Sequence, residues 1–162
     1  MSERARSYFA GGFRLPDRPG LGAAVDAEAL ARYAVQSEGN QAMRIDRIDV
    51  HHVAMPLIYP WRTAYGVDYD IHSVLVKLTS DDHSAWSEST CFFAPTYHYE
   101  SVGSVFYHVT EVFGPHIVGR EYDTAAQLHE RLAVFKGNSF ARAALEIGWW
   151  TLQSEISGTP LH

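Results

Sequence analysis

The chain has 162 residues, of which 46% are hydrophobic and 20% are charged, and its formal net charge is −6. This length allows one domain with a real core, but a (β/α)-barrel needs about 250 residues and does not fit. The only lysines are Lys77 and Lys136, and a nucleic-acid-binding protein should instead present a basic face, so composition argues against that class.

Membrane insertion and secretion are also disfavoured. No run approaches the roughly 18 apolar residues needed to span a membrane. The opening residues 1–12, MSERARSYFAGG, lack the apolar core of a signal peptide. The single cysteine, Cys91, cannot build an internal disulfide framework. We therefore expect a cytoplasmic protein without a membrane or nucleic-acid partner.

The first part of the chain predicts little regular structure. Residues 13–22, FRLPDRPGLG, indicate a short extended segment and a turn, because each proline biases the preceding residue away from the helix. Asp26 can cap a short helix from Ala27 to about Ala34. The polar stretch SEGNQ at 37–41 has no periodicity and is typical of a linker.

Three strands follow. Apolar residues alternate with polar ones from Ile48 to His52 and again from His72 to Leu78, as on half-buried strands. Residues 80–83, SDDH, are turn-forming, and residues 85–91, AWSESTC, predict a returning strand. The simplest arrangement is a three-stranded antiparallel meander.

Three helices complete the prediction. Apolar residues recur at helical spacing from Val102 to Val112, until Gly114-Pro115 should stop the helix. A second helix carries Leu128, Leu132 and Phe135, with Asp123 or Thr124 as its cap and Gly137 as its end. A third runs from about Ser139 to Ser157 and has two apolar stripes, which suits either a central core helix or one that also faces a partner. The fold class is α+β, a meander followed by a helical bundle.

No catalytic or metal-binding pattern is visible. The nine histidines show no helical i, i+4 pair with a nearby acid, so we interpret them as ordinary histidines and predict no metal site. Lys77 lies within a predicted strand and Lys136 at a helix end, so neither is a credible base. No nucleophile–base pair is present, and we predict no catalytic residue in this chain.

Residues 43–162 nevertheless resemble a known domain in the order of their motifs. These are VAMPLIYPWRTAYG, AWSES, STCFFAPTYHYES and FKGNSFARAALEIGWWTLQSEISGTPL. They are similar to the N-terminal capping domain of the enolase superfamily, in the muconate-lactonizing subgroup and nearest to N-acylamino acid racemases and o-succinylbenzoate synthases. Residues 11–33, which include PDRPGLG, resemble the segment that closes such enzymes.

The resemblance implies a reversed order of segments. Residues 1–36 correspond to the family's C-terminal tail, which packs on the cap. Residues 37–42 form a linker, and residues 43–162 form the capping domain. The catalytic barrel, which normally separates the two pieces, is not represented. The layout resembles a circular permutation that retains one folding unit and omits the other.

The resemblance also implies substrate-facing positions on two loops, Trp61–Gly66 and Cys91–Tyr97. The residues at those positions are Trp61, Thr63, Tyr65, Phe92, Phe93 and Tyr97. For each aromatic residue the alternative is an ordinary place in the core. Arg62 either pairs with an anionic group or lies on the surface, and Cys91 is interpreted as a small buried hydrophobic residue.

The family removes a proton α to a carboxylate, using barrel lysines or histidines and Mg²⁺. We therefore expect this chain to be the substrate-specificity cap of a split racemase, cycloisomerase or dehydratase. A separate barrel chain would supply Mg²⁺ and the catalytic lysines, and a small carboxylate would bind at the shared interface. The alternatives are a self-associating or stand-alone binding module and, least favoured, a new enzyme that uses His98.

Overall fold

The computed structural model describes residues 42–161 and, of the preceding part, residues 8–9 and 12–13. The chain divides into two compact units, Met1–Glu38 and Gly39–His162. In the first unit, β1 (Tyr8–Phe9) pairs antiparallel with β2 (Gly12–Phe13). The predicted helix 27–34 and the rest of the predicted tail 1–36 lie outside the described residues, as does the predicted linker 37–42 except Ala42, so both assignments stay predictions.

The second unit contains the predicted meander. Strands β4 (Arg47–Thr63), β5 (Gly66–Ser80) and β6 (His83–Thr90) form an antiparallel sheet in that order. Val74, Val76 and Leu78 are fully buried on one face of β5, because alternate residues of a strand point to the same side. A short strand β3 (Met43–Arg44) pairs separately with β7 (Glu121–Tyr122).

Strands β4 and β5 extend beyond the sheet as a two-stranded ribbon, residues 54–72. Only residues 73–80 of β5 pair with β6, so among the described strands the rest of β5 pairs with β4 alone. The predicted first loop, Trp61–Gly66, is therefore wrong as a loop, since it consists of strand ends and the turn at 64–65. The register shifts between Pro56 and Trp61, and such a bulge accommodates a proline that cannot donate to the ladder.

The first helix does not end at Gly114-Pro115 as predicted. Helix α1 (Val102–Tyr107) continues into a π-helical segment (His108–Phe113) and then into α2 (Gly114–Ile117). The Gly114 N–H donates to the Val109 carbonyl, five residues earlier. This wider turn places Pro115 in the first turn of α2, where its missing N–H is tolerated.

The remaining helices follow the prediction with one change. Helix α3 (Ala125–Leu132) is capped by Thr124, whose hydroxyl accepts from the Gln127 N–H, and it ends well before Gly137. Helix α4 (Ser139–Ser157) ends at Gly158 in the left-handed conformation. It packs on the buried face of the sheet, where the Ser87 hydroxyl donates to the Ala144 carbonyl at 2.6 Å.

The two stripes of α4 differ in burial. Leu145, Trp149 and Leu152 of the first stripe are fully buried, whereas on the second stripe Ala144 is buried and Ile147 is 49% exposed. The helix is therefore a core helix with one partly exposed side. Within the described part of the chain, none of the helices combines the length and the apolar character that crossing a bilayer requires.

Candidate substrate-binding site

A cavity of about 400 Å³ lies at the end of the sheet from which the ribbon projects. Its walls come from the ribbon, from residues 91–100, which we call the cavity loop, and from the start of α4. The lining residues are Trp61, Asp68, Asp70, Ile71, His72, Thr90, Cys91, Phe92, Phe93, Tyr97, His98, Glu100 and Phe140.

Aromatic rings connect the ribbon to the cavity loop. The ring centroids of Trp61 and Phe92 are 5.9 Å apart, and Tyr97 meets Phe92 edge-on at 6.1 Å. Tyr65, at the ribbon turn, meets Tyr97 edge-on at 5.3 Å. Phe93 and Tyr97 are nevertheless 67% and 68% exposed. Rings that contact each other and remain open to solvent form a surface on which an apolar ligand can be buried.

The structure brings most of the predicted site residues together. Trp61, Phe92, Phe93 and Tyr97 line the cavity, and Tyr65 reaches it through Tyr97. Thr63 does not line the cavity. Its hydroxyl accepts from the Tyr65 N–H at 3.1 Å, so it stabilises the ribbon turn.

Arg62 is exposed and lies one residue from Trp61, so it points to the opposite face of the ribbon. It therefore does not contribute its positive charge to the cavity walls. The interpretation of Arg62 as a surface residue fits this placement better than the interpretation as an anion ligand.

Glu100 is a buried carboxylate in the cavity wall, with 2% exposure. It accepts hydrogen bonds from the Ser139 hydroxyl and the Phe140 N–H, each at 3.0 Å, and from the Ala141 N–H at 3.3 Å. Asn138, the residue that precedes α4, makes no capping bond. Glu100 therefore caps the N-terminus of α4, where negative charge is favoured, although it is distant in sequence. Both of its carboxylate oxygens already accept hydrogen bonds.

His98 does not form part of a nucleophile–base pair. Its Nδ1 accepts a hydrogen bond from the Glu100 N–H at 3.3 Å. Its ring packs against Tyr99 and Phe140, with centroids at 4.1 and 4.9 Å. Burial, and then the Glu100 carboxylate, raises the pKa of the Cys91 thiol to about 11. A thiol that stays protonated at neutral pH is a poor nucleophile, which agrees with the interpretation of Cys91 as a hydrophobic residue.

Sequence reasoning missed four lining residues of β5, of which Asp68, Asp70 and His72 are polar. These three share one face because they are two residues apart, and Asp68 is directly opposite Trp61 in the register. His72 Nδ1 lies 3.0 Å from His52 Nε2, and its ring packs against Phe93 at 5.0 Å. The alternation along β5 is visible in the sequence, but only the pairing with Trp61 places this face in the cavity wall.

Mg²⁺, which the sequence resemblance implies for a complete enzyme, does not fit here. Within residues 42–161, no group of three or more His, Cys, Asp or Glu side chains is placed to hold a metal ion. We therefore assign no metal-dependent step to the described part of the chain.

Comparisons with known proteins place this site in context. No protein-family model matches the chain. It is 31% identical over 119 residues to an N-succinylamino acid racemase of Thermus thermophilus and 27% identical over 120 residues to an o-succinylbenzoate synthase of Bacillus subtilis. Each match covers 74% of this chain and 32% of the relative, so the chain spans about a third of the length of these curated relatives.

The fold comparison agrees. A muconate lactonizing enzyme of Pseudomonas fluorescens matches with a TM-score of 0.68 and 24% identity, over 72% of this chain and 32% of the enzyme. The antiparallel meander with packed helices is the architecture of the capping domain in these enzymes. Sequence and fold together show that the homologues of this chain are enolase-superfamily enzymes and that the matched part has the fold of their capping domain.

Proposed function

We propose that this chain is the substrate-specificity cap of an enolase-superfamily enzyme whose catalytic barrel is a separate chain. The observation that carries this proposal is the cavity between the ribbon and the cavity loop, lined by Trp61, Phe92, Phe93 and Tyr97. These rings offer a binding surface for the apolar part of a substrate, and the described residues include no group of side chains placed to hold a catalytic metal ion. A site with binding residues and no catalytic set suits a cap better than a whole enzyme.

In the proposed complex the cap and the barrel divide the work. The barrel would supply Mg²⁺ and the base that removes a proton α to the substrate carboxylate, which makes the complex a racemase, cycloisomerase or dehydratase. Trp61 and Phe93 would cover the apolar portion of the same substrate and exclude water from the reacting carbon. Their exposure in this chain is then explained by contact with the substrate and the barrel.

The order of the motifs supports the assignment to a permuted cap. The segment that resembles the end of the family, residues 11–33, precedes the capping domain instead of following a barrel. A circularly permuted cap of this kind keeps both cap segments in one polypeptide. We propose that the resulting subunit functions as a hetero-oligomer in the cytoplasm.

The test is co-purification followed by an activity assay. The tagged chain is expressed in its own host, and the purified complex is incubated with N-acylamino acids in D₂O. We expect a barrel polypeptide to co-purify and Mg²⁺-dependent deuterium incorporation at Cα by proton NMR. In Trp61→Ala the incorporation rate should fall about tenfold or more, because substrate positioning contributes strongly to rate.

The matched control is Trp86→Ala, which removes a similarly exposed tryptophan outside the cavity. It should leave the incorporation rate within about twofold. Recovery of a stable monomer without a barrel polypeptide would contradict the proposal.

A second function, a stand-alone binding module, is favoured by one observation. The cavity walls all come from this one chain, so a ligand has a binding surface before any partner arrives. Calorimetry with the isolated chain separates the two functions. Micromolar binding of a small apolar carboxylate without a barrel would favour the module, whereas binding that requires the barrel would favour the cap.

A further inference from the structure

The cavity has an uneven charge. Its described lining residues include the carboxylates of Asp68, Asp70 and Glu100, but no lysine or arginine. The only lining side chains able to take up positive charge are those of His72 and His98. Because Arg62 lies on the other face of the ribbon, it does not correct this imbalance.

The three carboxylates are not equivalent. Glu100 is compensated by the Ser139 hydroxyl and by two backbone N–H groups at the start of α4. Neither Asp68 nor Asp70 has a hydrogen bond or an ion pair with any side chain in the described part of the chain. The negative charge that has no partner among the described side chains is therefore on the ribbon wall, where Asp68 is half-buried and Asp70 is exposed.

The uncompensated carboxylates lie beside aromatic faces. Asp68 pairs across the ribbon with Trp61, so their Cβ atoms are neighbours on the cavity side. Trp61 in turn packs near Phe92, which meets Tyr97. A cation in this space would gain both the ring quadrupoles and a carboxylate counter-charge, and the attraction increases as water is excluded.

An anionic group of a ligand, beyond the substrate carboxylate, would be disfavoured in the same space. It would approach Asp68 and Asp70 without a lysine or arginine to compensate it, and burial among aromatic rings would remove its hydration. The charge pattern thus selects among the acyl and side-chain groups that an enolase-superfamily substrate can carry.

We propose that this cavity recognises a cationic group, an ammonium or a guanidinium, at the end of the carboxylate substrate remote from the reacting carbon. The inference rests on the proposed function for the location of the reacting carbon. The recognition of the cation itself requires only this chain.

The test uses three probes with side chains of similar length that end in a cationic, a neutral and an anionic group. They are Nα-acetyl-lysine, Nα-acetyl-norleucine and Nα-acetyl-α-aminoadipate, titrated into the full chain and followed by calorimetry. We expect the lysine derivative to bind about tenfold or more tightly than the norleucine derivative, and the aminoadipate derivative to bind most weakly. The lysine preference should shrink as salt screens the charges.

Variants test which residues cause the preference for the lysine derivative. In the double variant Asp68→Asn, Asp70→Asn, the tenfold preference should fall to about twofold, because the amides keep the shape and remove the charge. Asp82→Asn, in the turn between β5 and β6 and outside the cavity, is the matched control and should leave the preference unchanged. Thermal unfolding of each variant verifies that the fold is retained.

Equal binding of the three probes, preference for the aminoadipate derivative, or no binding of the lysine derivative at about 10 mM would each overturn the inference. Its failure is distinguishable from failure of the proposed function. If a barrel complex turns over dicarboxylic N-acylamino acids faster than lysine derivatives, the inference is wrong and the cap function stands. If the isolated chain prefers the cationic probe but no barrel chain exists, the cation inference stands and the proposed cap function is wrong.

Discussion

Cys91 is the residue for which the structure gives a direct titration prediction. Burial, and then Glu100, raises its thiol pKa to about 11. Since this is the chain's only cysteine, alkylation by iodoacetamide reports on it alone. We expect the alkylation rate of the folded protein to rise with a midpoint near pH 11, and that of the urea-unfolded chain near the ordinary thiol value of about 8.5.

The same pKa difference affects stability. A group whose pKa is raised by folding contributes stability that is present below its unfolded pKa and is lost as the pH rises through its folded pKa. The contribution of Cys91 should therefore decrease from about pH 9 upward. A folded-state midpoint near 8.5 would show that the thiol is solvated, contrary to its place in the cavity wall.

At the scale of the element, the π-helical segment explains why a glycine–proline pair lies inside a helix. A Cβ on Gly114 would lie 2.6 Å from the Val109 carbonyl oxygen, which belongs to the backbone and cannot rotate away. We expect Gly114→Ala to lower the free energy of unfolding by more than about 2 kcal/mol, as for other strained or overpacked sites, measured by urea denaturation.

Gly103→Ala is the matched control for this substitution. Gly103 lies in α1, and a Cβ there meets nothing within 4 Å. Alanine should stabilise that position by up to about 1 kcal/mol, because glycine is the weaker helix former. Equal effects of the two substitutions would contradict the requirement for glycine at the π turn.

The elements also show where sequence reasoning works and where it stops. Alternation from His72 to Leu78 predicted a strand correctly, because burial of one face imposes the period directly. The stop at Gly114-Pro115 was wrong, because a local rule for proline does not register a wider turn that avoids the clash. The segment Trp61–Gly66 was wrongly predicted as a loop, since the hairpin pairing that places Asp68 opposite Trp61 is not encoded in either segment alone.

Some residues of the candidate site could be predicted from the sequence and others could not. Trp61, Phe92, Phe93 and Tyr97 could be named from the family resemblance, which carries positional information. The capping role of Glu100 could not, because its partners on α4 follow about forty residues later in the chain. Such long-range polar contacts depend on the packing of elements and have no local pattern.

For the whole molecule, the division at Glu38 provides a test of how the two units depend on each other. The second unit contains its own buried core, including Leu78, Val105 and Trp149. We expect a fragment of residues 39–162 to unfold cooperatively in thermal circular dichroism. The predicted packing of residues 1–36 on the cap further requires that the full chain unfolds at a higher temperature. Equal midpoints would contradict that packing, and a non-cooperative fragment would contradict the independence of the second unit.

The hydrogen bonds at the two ends of the cavity loop have a consequence for how specificity evolves. The Val102 N–H donates to the Phe92 carbonyl at 3.0 Å, and Glu100 is fixed to the start of α4. The loop is thus closed at its base by hydrogen bonds that do not involve residues 93–97. Those tip residues can be exchanged while the base and the helix stay in place. The tip of the cavity loop is in this sense a variable segment. A few substitutions there can change the ligand preference while the rest of the domain is kept.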